Sequence, residues 1–269
     1  MSEKNIIDKT KTPVTKKSIL EDLKGLGIEK GDTLLLHSSL SSLGWVCGGA
    51  EAVIMALIDA IGEEGTLIMP THSGENSNPF NWNNPSVPKE WHEIIRNNMP
   101  AYDPKTTITN GIGKIPELFR TMPGVSRSLH PQVSFGAIGR LKDDILRNHQ
   151  LSSFFDMDSP LGKLYKLREA KILLLGAGYD SCTSFHVGET LIGDKVNISK
   201  TGSAIYEDGK RIWKWFEAHE HNSDDFSELG KAFENRHKVI KKLVGNAESR
   251  LFSLREAVDF SKEWLLENR

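Results

Sequence analysis

Apolar positions recur along the chain in two distinct periods. In "TKKSILEDLKGLG" they fall at Ile19, Leu20, Leu23 and Leu26, one stripe of a helix, with Thr15 placed to cap its start and glycines to stop it. "AEAVIMALIDAIG" repeats the pattern at Val53, Ile54, Leu57, Ile58 and Ile61 and closes on Gly62. The runs "DTLLLHSSL", "GTLIMPTHS" and "AKILLLGAG" are of another kind: short, apolar throughout, and broken abruptly by polar residues. Strands of this kind alternating with amphipathic helices predict parallel βαβ units whose sheet is covered on both faces.

Elsewhere the pattern changes. Residues 74–110, dense in Asn, Pro and Trp ("NSNPFNWNNPSVPKEW"), show no period and predict a long irregular excursion able to reshape a pocket. Residues 197–222 alternate like an antiparallel pair, with Asp208-Gly209 as the hairpin turn. "DFSELGKAFENRHKVIKKLVG" and "LREAVDFSKEWLLEN" read as helical. No repeat or low-complexity linker interrupts the chain, which predicts a single domain over residues 1–269 with the excursion at about 74–110.

Composition narrows the function classes. With 34 Lys+Arg against 36 Asp+Glu, the chain lacks the excess positive charge of a general nucleic-acid binder. No apolar run approaches the roughly 20 residues that span a bilayer, and the polar start lacks the apolar core of a signal peptide. Cys47 and Cys182 make no disulfide framework. The expectation is a protein of the cytoplasm, with no membrane or nucleic-acid partner; its oligomeric state is not legible.

In open α/β sheets ligands bind beyond the carboxyl ends of the strands. Three apolar strands here end in polar residues, which would bring His37, Ser38, Ser39, Thr71, His72, Ser73, Thr183 and His186 to one rim. Small polar residues also make ordinary turns, so one such end carries little; three together point to a site. His186 and Glu189 stand at i and i+3 on a helix starting near Thr183, where an imidazole could take a proton and a carboxylate orient it. On spacing alone the pair reads as a buried histidine and a surface glutamate, because His-x-x-Glu is short and common. Arg127 and Ser128 precede a His-Pro turn; an arginine fork suits a phosphate, but a solvated loop arginine is the commoner case. There is no GxxxxGK[ST], HExxH, CxxC or GxSxG, although His37, His72 and His186 could ligate zinc or His186 could activate Cys182.

Five segments between residues 34 and 190 carry a resemblance: "LLLHSSLSSLGWVCGGAEAVIMAL", "GTLIMPTHS", "RSLHPQVSFGAIG", "SPLGKL" and "ILLLGAGYDSCTSFHVGET". In order and spacing they resemble the aminoglycoside 3-N-acetyltransferase family, and the likeness continues into "VGNAESRLFSLREAVDF". The resemblance implies a single α/β/α sandwich of that family's type rather than the common GNAT acyltransferase fold. Consistently, the [QR]-x-x-G-x-[GA] loop of the GNAT fold is missing, with Ile108 standing at the position of its Gln or Arg in "ITNGIG".

It further implies transfer of acetyl from acetyl-CoA to the 3-amino group of a 2-deoxystreptamine aminoglycoside, by direct attack in a ternary complex, and so antibiotic resistance. His37, Ser38, Ser39 and Leu40 would form the coenzyme A wall, Thr71 would lie by the thioester, and Arg127 and Ser128 would hold phosphate or adenosine. His186, in the pattern T-x-x-H-x-x-E, would be the general base with Glu189 beside it, and no metal is expected. Glu189, Asp180 and the "SDD" at 223–225 are the candidate acids for a polycationic acceptor. The chain departs from the family at "HQL" (149–151), where His-Pro-Leu is frequent, and at "FFDMDSP" (154–160), where a glycine-rich run is frequent. Both departures bear on the acceptor. Two alternatives stay open: a coenzyme A-binding protein or an acetyltransferase for a non-antibiotic amine, and a metal- or thiol-dependent hydrolase.

Overall fold

The computed structural model, which describes residues 2–193 and 197–269, sets the three apolar runs side by side. In chain order the strands are β1 (Thr33–Ser38), β2 (Thr66–Pro70), β3 (Ser126–Arg127), β4 (Phe135–Gly139), β5 (Ala170–Leu175), β6 (Ile198–Glu207), β7 (Lys210–His219), β8 (Ile240–Val244) and β9 (Ala247–Ser253). Seven of them form one sheet in the order β3-β4-β2-β1-β5-β9-β8. β2, β1 and β5 run parallel at its centre, and the flanking pairings are antiparallel. Strands β6 and β7 make a separate ribbon.

The helices are α1 (Glu3–Lys9), α2 (Lys16–Leu26), α3 (Gly49–Ile61), α4 (His92–Asn98), α5 (Lys114–Phe119), α6 (Lys142–Leu146), α7 (Pro160–Lys166), α8 (Phe185–Leu191), α9 (Phe226–Arg236) and α10 (Leu254–Asn268). A strand alternates its side chains, so each central strand feeds two cores. Leu34, Leu36, Leu67, Met69, Leu173 and Leu175 pack with Ile19, Leu23 and Leu26 of α2, Val53, Ile54 and Leu57 of α3, and Phe119 of α5. Leu35, Ile68, Ile172 and Leu174 pack on the other face with Leu161, Phe185, Phe226, Phe233 and Val258 from α7 to α10. The result is the α/β/α sandwich that the resemblance implies, with the sheet covered on both faces as the apolar runs predict. Thr15 caps α2 as anticipated, in a reciprocal box with Ser18. Among the described residues no helix is long and apolar enough to cross a membrane.

The ribbon turns at Asp208-Gly209, both at positive φ (50° and 74°), which matches a two-residue hairpin turn to the twist of its strands. One element differs from expectation. The helix after Phe226 stops at Arg236, and "IKKLV" is strand β8, paired with β9 through a turn at Gly245-Asn246. Gly245 sits at φ 56°, where an added Cβ would come within 2.7 Å of the Leu43 carbonyl oxygen, so this corner needs glycine. Local pattern fits either period over so short a run; the open edge of β9 decides it.

The 74–110 excursion does not border the main cavity described below. It is tied to the ribbon: Asn76 pairs with the Ala204 backbone in both directions, Tyr102 N–H donates to the Ala204 carbonyl (2.9 Å), and Arg211 donates to the Met99 carbonyl (3.1 Å).

Candidate active site

The carboxyl ends of β1, β2 and β5 open into one cavity of about 880 Å³. His37, Ser38, Ser39 and Leu40 border it at the end of β1, His72 after β2, and Asp180, Thr183 and His186 after β5. Three polar strand ends therefore do share a rim, because the three strands are parallel neighbours. The size lies in the upper range for small-molecule sites.

His186 and Glu189 stand one turn apart on α8, with His186 Nδ1 and Glu189 Oε2 at 2.7 Å. Glu189 is 2% exposed, so it is not the surface residue that spacing alone suggests. His221 Nδ1 also lies 3.1 Å from Oε2, while Asn222 N–H (3.0 Å) and the Arg269 guanidinium bind Oε1. Burial opposes the charge of Glu189, but the hydrogen bonds from His186 and His221 outweigh it and hold the carboxyl well below the usual carboxylate range. The histidine moves the same way for a different reason. Burial pushes His186 below its ordinary value, Glu189 offsets part of that, and His221 and Arg269 push further down. A neutral imidazole beside an ionised carboxylate must donate from Nδ1, which leaves the Nε2 lone pair free. No described group bonds Nε2. Phe155 stacks on the imidazole (4.9 Å, 13°) and Phe226 lies 4.6 Å away, fixing the ring.

Around the β1 end, His37 Nε2 is 3.5 Å from Thr183 Oγ1, and burial pushes His37 down to about 3, so it is neutral. Ser39 Oγ accepts from Ser42 Oγ (2.8 Å). Ser38 Oγ is buried without a partner, as is His72 Nε2. Both residues border the cavity, although these two atoms are themselves occluded.

Three of the anticipated contact residues lie elsewhere. Thr71 is fully buried off the cavity, its hydroxyl 3.2 Å from both Ser134 Oγ and Arg127 Nε. Arg127 is 8% exposed and directs its fork inward, to Ser134 Oγ (2.9 Å), the Thr71 carbonyl (2.6 Å) and the Thr107 carbonyl. Ser128 Oγ pairs with His149 Nδ1 and accepts from Phe135 N–H, both at 2.9 Å. These three hold β2, β3 and β4 together and do not border the cavity. Of the candidate acids, Asp180 borders the cavity; of the 223–225 run only the serine, Ser223, reaches it, while Asp225 is paired with Arg269 and Glu189 lies beneath His186.

Ligand atoms of His186, Glu189 and His221 lie within 4.8 Å of one another, a spacing that a metal could use. Here they satisfy each other as hydrogen-bond partners, and a cation among them would face the Arg269 guanidinium. Burial pushes the Cys182 thiol up to about 12, so it is no ready nucleophile. Sequence reasoning missed His221, Asn222 and Arg269, which reach Glu189 from 32, 33 and 80 positions away. No local spacing signals such contacts.

A further imidazole pair, off the cavity lining, is buried neutral. Burial pushes His130 down to about 4 and His149 to about 2, and their rings lie 4.7 Å apart. The unfolded chain, with histidines near 6.5, takes up these protons first, so stability is full above about pH 6.5 and falls as pH drops toward 4. We expect the denaturant midpoint to fall across that window, equivalent to a few kcal/mol in all. A flat midpoint from pH 7 to 4.5 would contradict it.

Residues 35–266 match the family model described as aminoglycoside 3-N-acetyltransferase. The SPbeta prophage-derived aminoglycoside N(3')-acetyltransferase-like protein YokD of Bacillus subtilis (strain 168) is 52% identical over 266 residues, covering 98% of this chain and 97% of the relative. Its crystal structure superposes with a TM-score of 0.96, covering 98% of each chain. Aminoglycoside N(3)-acetyltransferase VII of Streptomyces paromomycinus is 32% identical, covering 99% of this chain and 96% of the relative. The structure of AAC-IIIb, solved as a binary complex with CoASH, has a TM-score of 0.85 at 26% identity, covering 96% of this chain and 98% of that one.

Proposed function

Because the chain belongs to the aminoglycoside 3-N-acetyltransferase family, and is therefore an acyltransferase that uses acetyl-CoA, we propose that it acetylates the 3-amino group of a 2-deoxystreptamine aminoglycoside. The observation that carries this reading is the His186–Glu189 pair, with a free Nε2 on a ring that borders the cavity. We take residues 1–269 as one functional unit, since the site draws on α8, the segment after β7 and the end of α10.

An amine reaches the site mostly as ammonium and must lose a proton before its nitrogen can bond to the acetyl carbon. His186 Nε2 accepts that proton, and Glu189 stabilises the imidazolium through Nδ1. The thioester supplies the acetyl group; the new carbon–nitrogen bond replaces the carbon–sulfur bond, and the coenzyme leaves as its thiol. His37, Ser38, Ser39 and Leu40 form the wall for the co-substrate. Thr71 has no part in this scheme, and no covalent enzyme intermediate is required.

One observation favours a second reading of the acceptor. Among the described residues that border the cavity, the carboxylates are Glu3 and Asp180, and Lys114 is there too. A polycation would meet few opposing charges, so a less highly charged amine is the alternative. The test is thiol release from acetyl-CoA with a panel of 2-deoxystreptamine aminoglycosides and a panel of monoamines. Turnover with the first supports the proposal, and turnover with monoamines alone supports the second reading. Coenzyme A binding without release from any amine would overturn both.

A further inference from the structure

Glu189 has two oxygens with different neighbours. Oε2 faces the imidazoles of His186 and His221, while Oε1 is held by Asn222 N–H and the Arg269 guanidinium. The guanidinium is itself fixed. Its Nε donates to Asp225 Oδ2 (2.7 Å), and its Nη2 to Asp225 Oδ1 (2.6 Å) and the Asn222 carbonyl (2.7 Å). Two helices must approach closely for this, and Gly188 permits it: a Cβ there would overlap Ser261 Oγ and come within 2.7 Å of Lys262 N. The end of α10 is thereby brought against the carboxylate on α8.

We propose that Arg269 is a positioning residue that sets the basicity of His186, by pinning Oε1 and offsetting the Glu189 charge so that Oε2 orients the imidazole without over-stabilising its protonated form. The inference rests on the proposed role of His186. A lone carboxylate 2.7 Å from an imidazole favours the imidazolium, and a base already protonated near neutral pH cannot take a proton from an amine. A fixed positive charge on the far oxygen reduces that bias while keeping the orientation. The other ionisable groups near the ring do not serve in its place. His221 competes for the same Oε2, His37 and His72 are neutral, Asp180 lies across the cavity rim, and Asp225 is matched by Arg269 itself.

The experiment follows the His186 imidazole by NMR titration of the full chain, its resonance assigned by loss in His186→Ala. In Arg269→Gln the midpoint should rise by roughly one pH unit, a Coulombic effect of the size expected for a nearby charge. Arg269→Lys, which keeps a point charge but loses the fork, should show a smaller rise, and Glu189→Gln should move the midpoint the opposite way. In turnover, the acid limb of kcat for Arg269→Gln should move up by the same amount, so that the variant is slower at low pH and matches or exceeds wild type at high pH. A purely structural role would lower turnover at every pH. An unchanged midpoint in folded Arg269→Gln, or a rise in Arg269→Lys as large as in Arg269→Gln, would overturn the proposal. The titration needs no substrate, so it gives this answer even if no amine is acetylated.

Discussion

His186→Ala should lower acetyl transfer by roughly 10²- to 10⁴-fold, the range that a positioned general base supplies, while coenzyme A affinity changes little. The separation of the two effects follows from where the atoms lie. The imidazole stands after β5 on α8, whereas the wall assigned to the coenzyme is built at the end of β1. Removing the ring leaves Glu189 with His221, Asn222 N–H and Arg269, so the buried carboxylate is still paired and the variant should fold. Thiol release under saturating acetyl-CoA, with calorimetric binding of coenzyme A to both proteins, measures the two quantities. A folded variant with turnover within about threefold of wild type would remove His186 from the mechanism, because losing a true base costs far more.

The parts of this site that were legible in the sequence are those set by local periodicity. Continuous apolar runs that stop at His37, Pro70 and Leu175 announced parallel strands, and parallel neighbours must open their polar ends at one rim. His186 and Glu189 were legible as one helix face for the same reason. The environment of that face was not. Glu189 is covered by the segment after β7 and by the residue that follows α10, and neither return leaves a trace in T-x-x-H-x-x-E itself. The strand β8 was misread because "IKKLV" satisfies two periods, and only the edge of β9 chooses between them.

Arg127 was read as a phosphate contact from its residue type, whereas here its fork is engaged within the fold, and its replacement gives the other large effect. A guanidinium fork fits a phosphate and a cluster of carbonyl oxygens equally well, so residue type cannot distinguish the two. The structure supplies the carbonyls: Thr71 and Thr107 accept from Nη2 and Nη1, with the Ser134 and Thr71 hydroxyls on Nε and the Tyr102 ring 5.2 Å from the guanidinium carbon. Arg127→Ala would take the donor from the Thr107 carbonyl, while the Thr71 carbonyl keeps the Ser134 hydroxyl (2.8 Å), and would open a void between β2, β3 and the 104–107 segment. We expect a loss on the order of 3–5 kcal/mol, since the side chain makes several charge-assisted hydrogen bonds worth about 1.5–3 kcal/mol each and fills buried volume. For a chain of this size that corresponds to a Tm lower by very roughly 10 °C. Denaturant midpoints of wild type and variant test it, together with the coenzyme A affinity of the variant at a temperature where it stays folded. The structural role requires a large drop in midpoint with affinity within a few-fold of wild type. The opposite pattern, an unchanged midpoint and a collapse in affinity, would mean that the guanidinium turns out to meet a phosphate after all.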